Sequence, residues 1–111
     1  MLKSLAGGTG SGLGAHMIEC LRDDYSKSMI MNTAIWPYSN GEVILQNYNV
    51  LLTLASSLEH ATGILPLYND DILLTCRELL KENRPSYKNM NTVIAQNLLS
   101  FLFPCANYPK T

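Results

Sequence analysis

Five glycines fall within eight residues in the run Leu5-Ala6-Gly7-Gly8-Thr9-Gly10-Ser11-Gly12-Leu13-Gly14, with only Thr, Ser and Leu between them. No other stretch limits the chain so sharply. An ordinary turn needs one glycine or two. This density predicts a backbone that something else approaches closely, with several residues in conformations that a Cβ forbids. The run leads into Ala15-His16-Met17-Ile18-Glu19-Cys20-Leu21, which reads as a helix. A glycine loop that opens a helix presents free N–H groups and the positive dipole end together, a combination suited to a phosphate.

The 111 residues suffice for one small domain, and a hydrophobic fraction of 47% marks a globular chain. A net charge of −1 without a basic stripe gives a nucleic-acid partner no support. No apolar run is long enough to span a bilayer, and no apolar stretch follows Lys3 as a signal peptide requires. Neither nucleic acid nor membrane is therefore expected as a partner. Cys20, Cys76 and Cys105 are odd in number and far apart, which fits reduced thiols in the cytoplasm. No His/Cys pair has zinc-ligand spacing, and His16 and His60 read as isolated helix residues.

Hydrophobic periodicity predicts the remaining elements. A first helix, about Leu13 to Tyr25, turns Met17, Ile18, Leu21 and Tyr25 inward and leaves Arg22, Asp23 and Asp24 as its wet end. Ser28 to Trp36 reads as a buried strand, with Trp36 as an anchor, and Pro37 to Gly41 as a loop. Ile44, Tyr48, Leu51, Ala55 and Leu58, widened by Leu45 and Leu52, form the stripe of a second helix. A short strand from Ile64 to Tyr68 follows, placed at a sheet edge by Pro66. Asn69 is a candidate N-cap for a helix burying Ile72, Leu73, Cys76, Leu79 and Leu80. Ser86 or Asn89 caps a last helix, apolar almost all round, that Pro104 stops near Phe103. Asp23, Asp24, Asp70 and Asp71 read as solvated or dipole-complementing residues, not catalytic pairs. Strands alternating with helices argue an α/β fold with a parallel sheet. Only two strands are visible, and too few residues precede the glycine loop for a proper strand there.

Three phosphate loops compete for the glycine run. A P-loop needs a lysine after its last glycine, and none is present. The dinucleotide fingerprint can be laid on Gly10, Gly12 and Ala15, but the ribose-binding acid due about twenty residues on falls among Met29, Ile30 and Met31. That reading, an oxidoreductase fragment, predicts NAD(H) binding and a strand directly before the loop. The third form, Gly/Ala-Gly-Gly-Thr-Gly-Ser-Gly, matches Ala6 to Gly12 in full.

This third form resembles the signature of the tubulin family. Gly41-Glu42-Val43-Ile44-Leu45-Gln46-Asn47-Tyr48-Asn49 is similar to its ribose-holding segment, Asn69-Asp70-Asp71 to its Asn-Glu-Ala motif, and Pro85 to Asn91 to the start of its central helix. Trp36-Pro37-Tyr38 together with Gln46-Asn47-Tyr48-Asn49 resembles the delta branch. The resemblance implies a Rossmann-like parallel-sheet GTPase domain, truncated at both ends, with residues 1–111 forming its part from phosphate loop to central helix. It implies phosphate contacts from Gly7, Gly8, Thr9, Gly10 and Ser11, ribose contacts from Glu42 and Gln46, and base contacts from Asn69, Tyr87 and Asn91. The implied cofactor is GTP or GDP, with Mg2+ possible but no ligand for it identifiable. The implied partners are other tubulin subunits or centriolar proteins, in the cytoskeleton of centrioles, basal bodies and cilia. No catalytic residue is expected, because the acid that assists hydrolysis is absent from these residues. An alternative reading, from the last helix and the missing first strands, is a non-folding truncated chain with no nucleotide binding of its own.

Overall fold

The computed structural model describes residues 1–41, 44–81 and 83–103. Two compact units divide it, the first Met1–Asp70 and the second beginning at Asp71. The first holds a parallel three-stranded sheet of β1 (Leu2–Ser4), β2 (Met31–Trp36) and β3 (Gly63–Tyr68), in that spatial order. Between the strands run α1 (Gly14–Asp24) and α2 (Gln46–His60), which touch one another. Then come α3 (Asn69–Leu80), which carries the chain into the second unit, and α4 (Tyr87–Leu102).

The alternation of strands and helices is as expected, and β1 is an addition. Three residues are too few to show periodicity, so the pairing has to be seen. Leu2, Lys3 and Ser4 lie opposite Thr33, Ala34 and Ile35, and Leu5 N–H donates to the Ile35 carbonyl at 3.1 Å. The centre of β2 is buried as anticipated, through Asn32, Thr33 and Ala34. Pro66 lies opposite Ala34 on β3, an outer strand of the described sheet, where its missing N–H costs little.

The expected helix faces are only partly right. On α1 the inward residues are Gly14 and Ile18, while Met17 and Tyr25 are exposed. Gly14 decides this. A Cβ there would meet Lys3 Cδ at 2.8 Å, so the helix comes closest to β1 along the line through Gly14 and Ile18. Met17 lies about 100° round from Ile18. On α2 the expectation is reversed. Thr53 and Ser57 are buried, while Tyr48, Leu51, Leu52 and Leu58 are each about two-thirds exposed. The side chains facing the sheet are small and polar, and Asn32 Nδ2 donates to Ser57 Oγ at 3.2 Å beneath them. On α3 burial is confined to Ile72 and Cys76, with Leu79 and Leu80 exposed. On α4 it is confined to Met90 and Val93, and Ser86 is the cap, its hydroxyl accepting from Asn89 N–H at 3.3 Å.

Arg22 is a clip rather than a wet end. Its Nε donates to the His60 carbonyl at 2.8 Å, Nη2 to Thr62 Oγ1 at 2.8 Å, and Nη1 to the carbonyls of Ser26 and Ser28. Thr62 Oγ1 also accepts from Ile30 N–H at 3.0 Å. One guanidinium thus ties the end of α1 to the approaches of β2 and β3, a use of its fixed fork of donors. Lys3 is unusual in the other direction. It is 6% exposed, its ammonium has no partner, and burial pushes its pKa down.

Candidate functional site

The glycine run makes the first turn of a helix. Ser4 ends β1, Leu5 and Ala6 are buried, and Gly8 already has helical angles (φ −62°, ψ −51°). Thr9–Leu13 form a wide π-type turn in which Gly14 N–H reaches back to the Thr9 carbonyl, and α1 continues from it. Such turns recur at functional sites. No glycine among the described residues has a positive φ, which corrects the expectation of forbidden conformations. What the glycines provide is room. A Cβ on Gly10 would come within 2.6 Å of the Ser4 carbonyl oxygen, so this glycine lets the turn sit on β1. Gly8 and Gly12 have open space where a Cβ would be. Their bareness serves no packing within the described chain.

Ser11 N–H donates to the Gly7 carbonyl at 3.0 Å. The N–H groups of Gly8, Thr9 and Gly10 precede that first turn of hydrogen bonding and belong to the donors a helix cannot satisfy by itself. Gly8 and Thr9 are exposed, and no acidic residue lies in the first turn. The donor set fits a phosphate: unpaired N–H groups, a hydroxyl on Thr9, a helix dipole behind them and no competing carboxylate. Ser11 differs from its neighbours. It is buried, and its hydroxyl donates back to the Gly8 carbonyl at 3.2 Å, so it shapes the turn.

The surroundings hold the loop in place. Asn49 Nδ2, from the first turn of α2, donates to the Ala6 carbonyl at 3.0 Å. Sequence reasoning included Asn49 only as the end of a motif and missed this tether, whose one signal is an amide in a helix first turn. Ser11, Gly12 and Ala15 on one side and Asn49, Leu52 and Thr53 on the other line a cleft of about 230 Å³ beside the loop. Gln46 Nε2 donates to the Tyr38 carbonyl at 3.1 Å, so Gln46 braces the loop ahead of α2. Glu42 lies outside the described residues. Asn69 is half-buried at the start of α3. Asp70 is not merely solvated. It accepts from Ser39 Oγ at 2.7 Å and from Ser39 N–H at 2.9 Å, and these bonds lower its pKa.

In the second unit, Tyr87 and Asn91 both lie exposed at the start of α4, one helical turn apart on one face. Among the described residues, no three or more His, Cys, Asp or Glu side chains converge to cage a metal ion. His16 is not isolated, however, because its Nε2 lies 3.5 Å from Cys20 Sγ.

Residues 1–77 match the Tubulin/FtsZ family, GTPase domain. The chain is 44% identical to the tubulin delta chain of Canis lupus familiaris, over 94% of its own residues and 23% of that protein. It is equally similar, over the same shares, to the tubulin delta chain of Homo sapiens. Identity to the tubulin gamma chain of Eremothecium gossypii is 34%, over 90% of this chain and 21% of that protein. The chain belongs to the tubulin family, and its match lies in the GTPase domain. It spans less than a quarter of the length of these relatives.

Proposed function

We propose that this chain binds the phosphates of a guanine nucleotide as part of a delta-type tubulin GTPase domain. The observation that carries the reading is the helix-opening turn at Gly8 to Gly10, with free N–H groups and with space at Gly8 that no packing requires. Gly7, Gly8, Thr9 and Gly10 supply the phosphate donors, with Ser11 bracing the turn from beneath. Gln46 and Glu42 are the ribose residues and Asn69, Tyr87 and Asn91 the base residues, on the strength of the motifs in which they stand. An exposed Tyr87 ring with an amide one turn on has the chemistry to stack on a purine and bond its edge. GTP or GDP is the cofactor, other tubulin subunits and centriolar proteins the partners, and the cytoskeleton of centrioles and cilia the place of work. The nucleotide acts there as a switch that orders loops at a subunit interface.

The test is titration of fluorescently labelled GTP into the protein that carries this chain. Wild type should bind, unlabelled GDP should compete, and NAD(H) should not. Equal affinity for wild type and Tyr87→Ala would remove the stacking role. Competition by NAD(H) in place of GDP would return the loop to the dinucleotide reading.

A further inference from the structure

We propose that His16 and Cys20 form a surface chelate for a borderline-soft divalent cation of the zinc type. The two side chains stand one turn apart on α1, which puts them on one face of the helix. His16 Nε2 and Cys20 Sγ are 3.5 Å apart, and Cys20 is a free, exposed thiol. A tetrahedral zinc ion, with Zn–S about 2.3 Å and Zn–N about 2.0–2.1 Å, holds its sulfur and nitrogen ligands about 3.5 Å from each other. The pair therefore already has the separation that one ion between them requires. The other imidazole nitrogen, Nδ1, lies 3.6 Å from Glu19 Oε2, with both side chains well exposed. With Nδ1 on the Glu19 side of the ring, Nε2 is the nitrogen that faces Cys20. Coordination forms one S–metal and one N–metal bond, breaks the S–H bond and the bonds to the aqua ligands they replace, and releases that proton and those waters to solvent. Two positions stay open, for water or for a side chain from a neighbouring molecule. Nothing in the phosphate-binding turn takes part, since these three side chains begin two residues beyond Gly14.

The test uses the protein that carries this chain, with every cysteine other than Cys20 and the buried Cys76 replaced by Ser. The probe is Co2+, whose bond to a thiolate gives a charge-transfer band in the near ultraviolet, with Zn2+ as competitor. A band with one thiolate per cobalt, displaced by Zn2+, is expected. It should vanish in Cys20→Ser. It should need at least about tenfold more Co2+ in His16→Ala, because the second ligand on the same helix acts as an intramolecular partner. A double variant, Cys20→Ser with Met17→Cys, keeps one histidine and one exposed thiol but places them on different faces, and it should behave like His16→Ala. Alkylation of Cys20, followed by mass spectrometry, gives a readout that holds even if the chain self-associates: Zn2+ should slow it in the parent and not in His16→Ala. A band that persists in Cys20→Ser overturns the proposal. So does affinity or protection that His16→Ala or the displaced thiol leaves unchanged.

Discussion

Gly8 and Gly10 differ by two positions and do opposite things. Gly10→Ala drives a methyl group into the Ser4 backbone, and backbone cannot move aside as a flexible side chain can. A loss of about 1–3 kcal/mol is expected in urea unfolding. Gly8→Ala meets nothing and sits at helical angles, so it should gain about 0.4–1 kcal/mol. If the nucleotide reading is right, the same change weakens GTP binding, and the two measurements move in opposite directions. Lys3 offers a second contrast. Its folded pKa lies below the unfolded one, so the buried ammonium costs stability at neutral pH, and the cost fades as pH rises through the folded value. Lys3→Met should raise stability by about 1–3 kcal/mol at pH 7, and the gain should shrink toward the lysine value of about 10.4. Asp70 has the opposite sign. Its Ser39 bonds lower the folded pKa, so their contribution is present above the ordinary value of about 3.9 and is lost as pH falls through the depressed one. Ser39→Ala should differ from wild type in unfolding at neutral pH and converge with it in acid.

At the scale of elements, the glycine loop, its helix and the alternation with strands were legible because each has a local cause. Ser86 is another case: a hydroxyl ahead of an apolar run is a cap wherever it occurs. The faces of α2 were not legible. A stripe of Ile44, Tyr48, Leu51, Ala55 and Leu58 says which residues are apolar but not which side fits a sheet carrying Asn32 at its centre. Small Thr53 and Ser57 fit there, and the amide of Asn32 needs the Ser57 hydroxyl. Ser57→Ala should therefore cost about 1–3 kcal/mol, because Asn32, whose Oδ1 already lacks a partner, loses its other bond. Arg22 was misread for the same reason, since two of its acceptors, the His60 carbonyl and Thr62 Oγ1, come from 38 and 40 residues away. Replacing it by Ala should cost about 2–3 kcal/mol, and Lys should not restore it, because one ammonium cannot span that fork. Of the candidate site, the helix-opening glycine turn could be read from sequence, but the Asn49 bond to the Ala6 carbonyl beneath it could not.

For the whole molecule, the buried set is small. Leu5, Ile18, Ile30, Ala34, Ile72, Cys76, Met90 and Val93 are covered, while Leu51, Leu52, Leu58, Leu99, Phe101 and Phe103 lie open. The isolated 111-residue chain should bind a hydrophobic dye and associate in gel filtration, and Leu51→Gln with Leu58→Gln should lessen both without lowering helix content by circular dichroism. Sharp, dispersed NMR signals from the unmodified chain at high concentration would show instead that this surface is tolerated. The strand order carries a different consequence. From β1 to β3 the chain steps always to the next neighbour, with its two crossover helices in touch. Winding of that kind never changes direction, and in open α/β sheets the crevice that receives a ligand opens where direction changes. Within this run, β1 is the outer strand that the glycine turn follows. A strand laid against its free side, wound the opposite way, would open the crevice at the glycines themselves. The three described strands thus wind one way only, and a reversal beside β1 would put the crevice on the glycine turn.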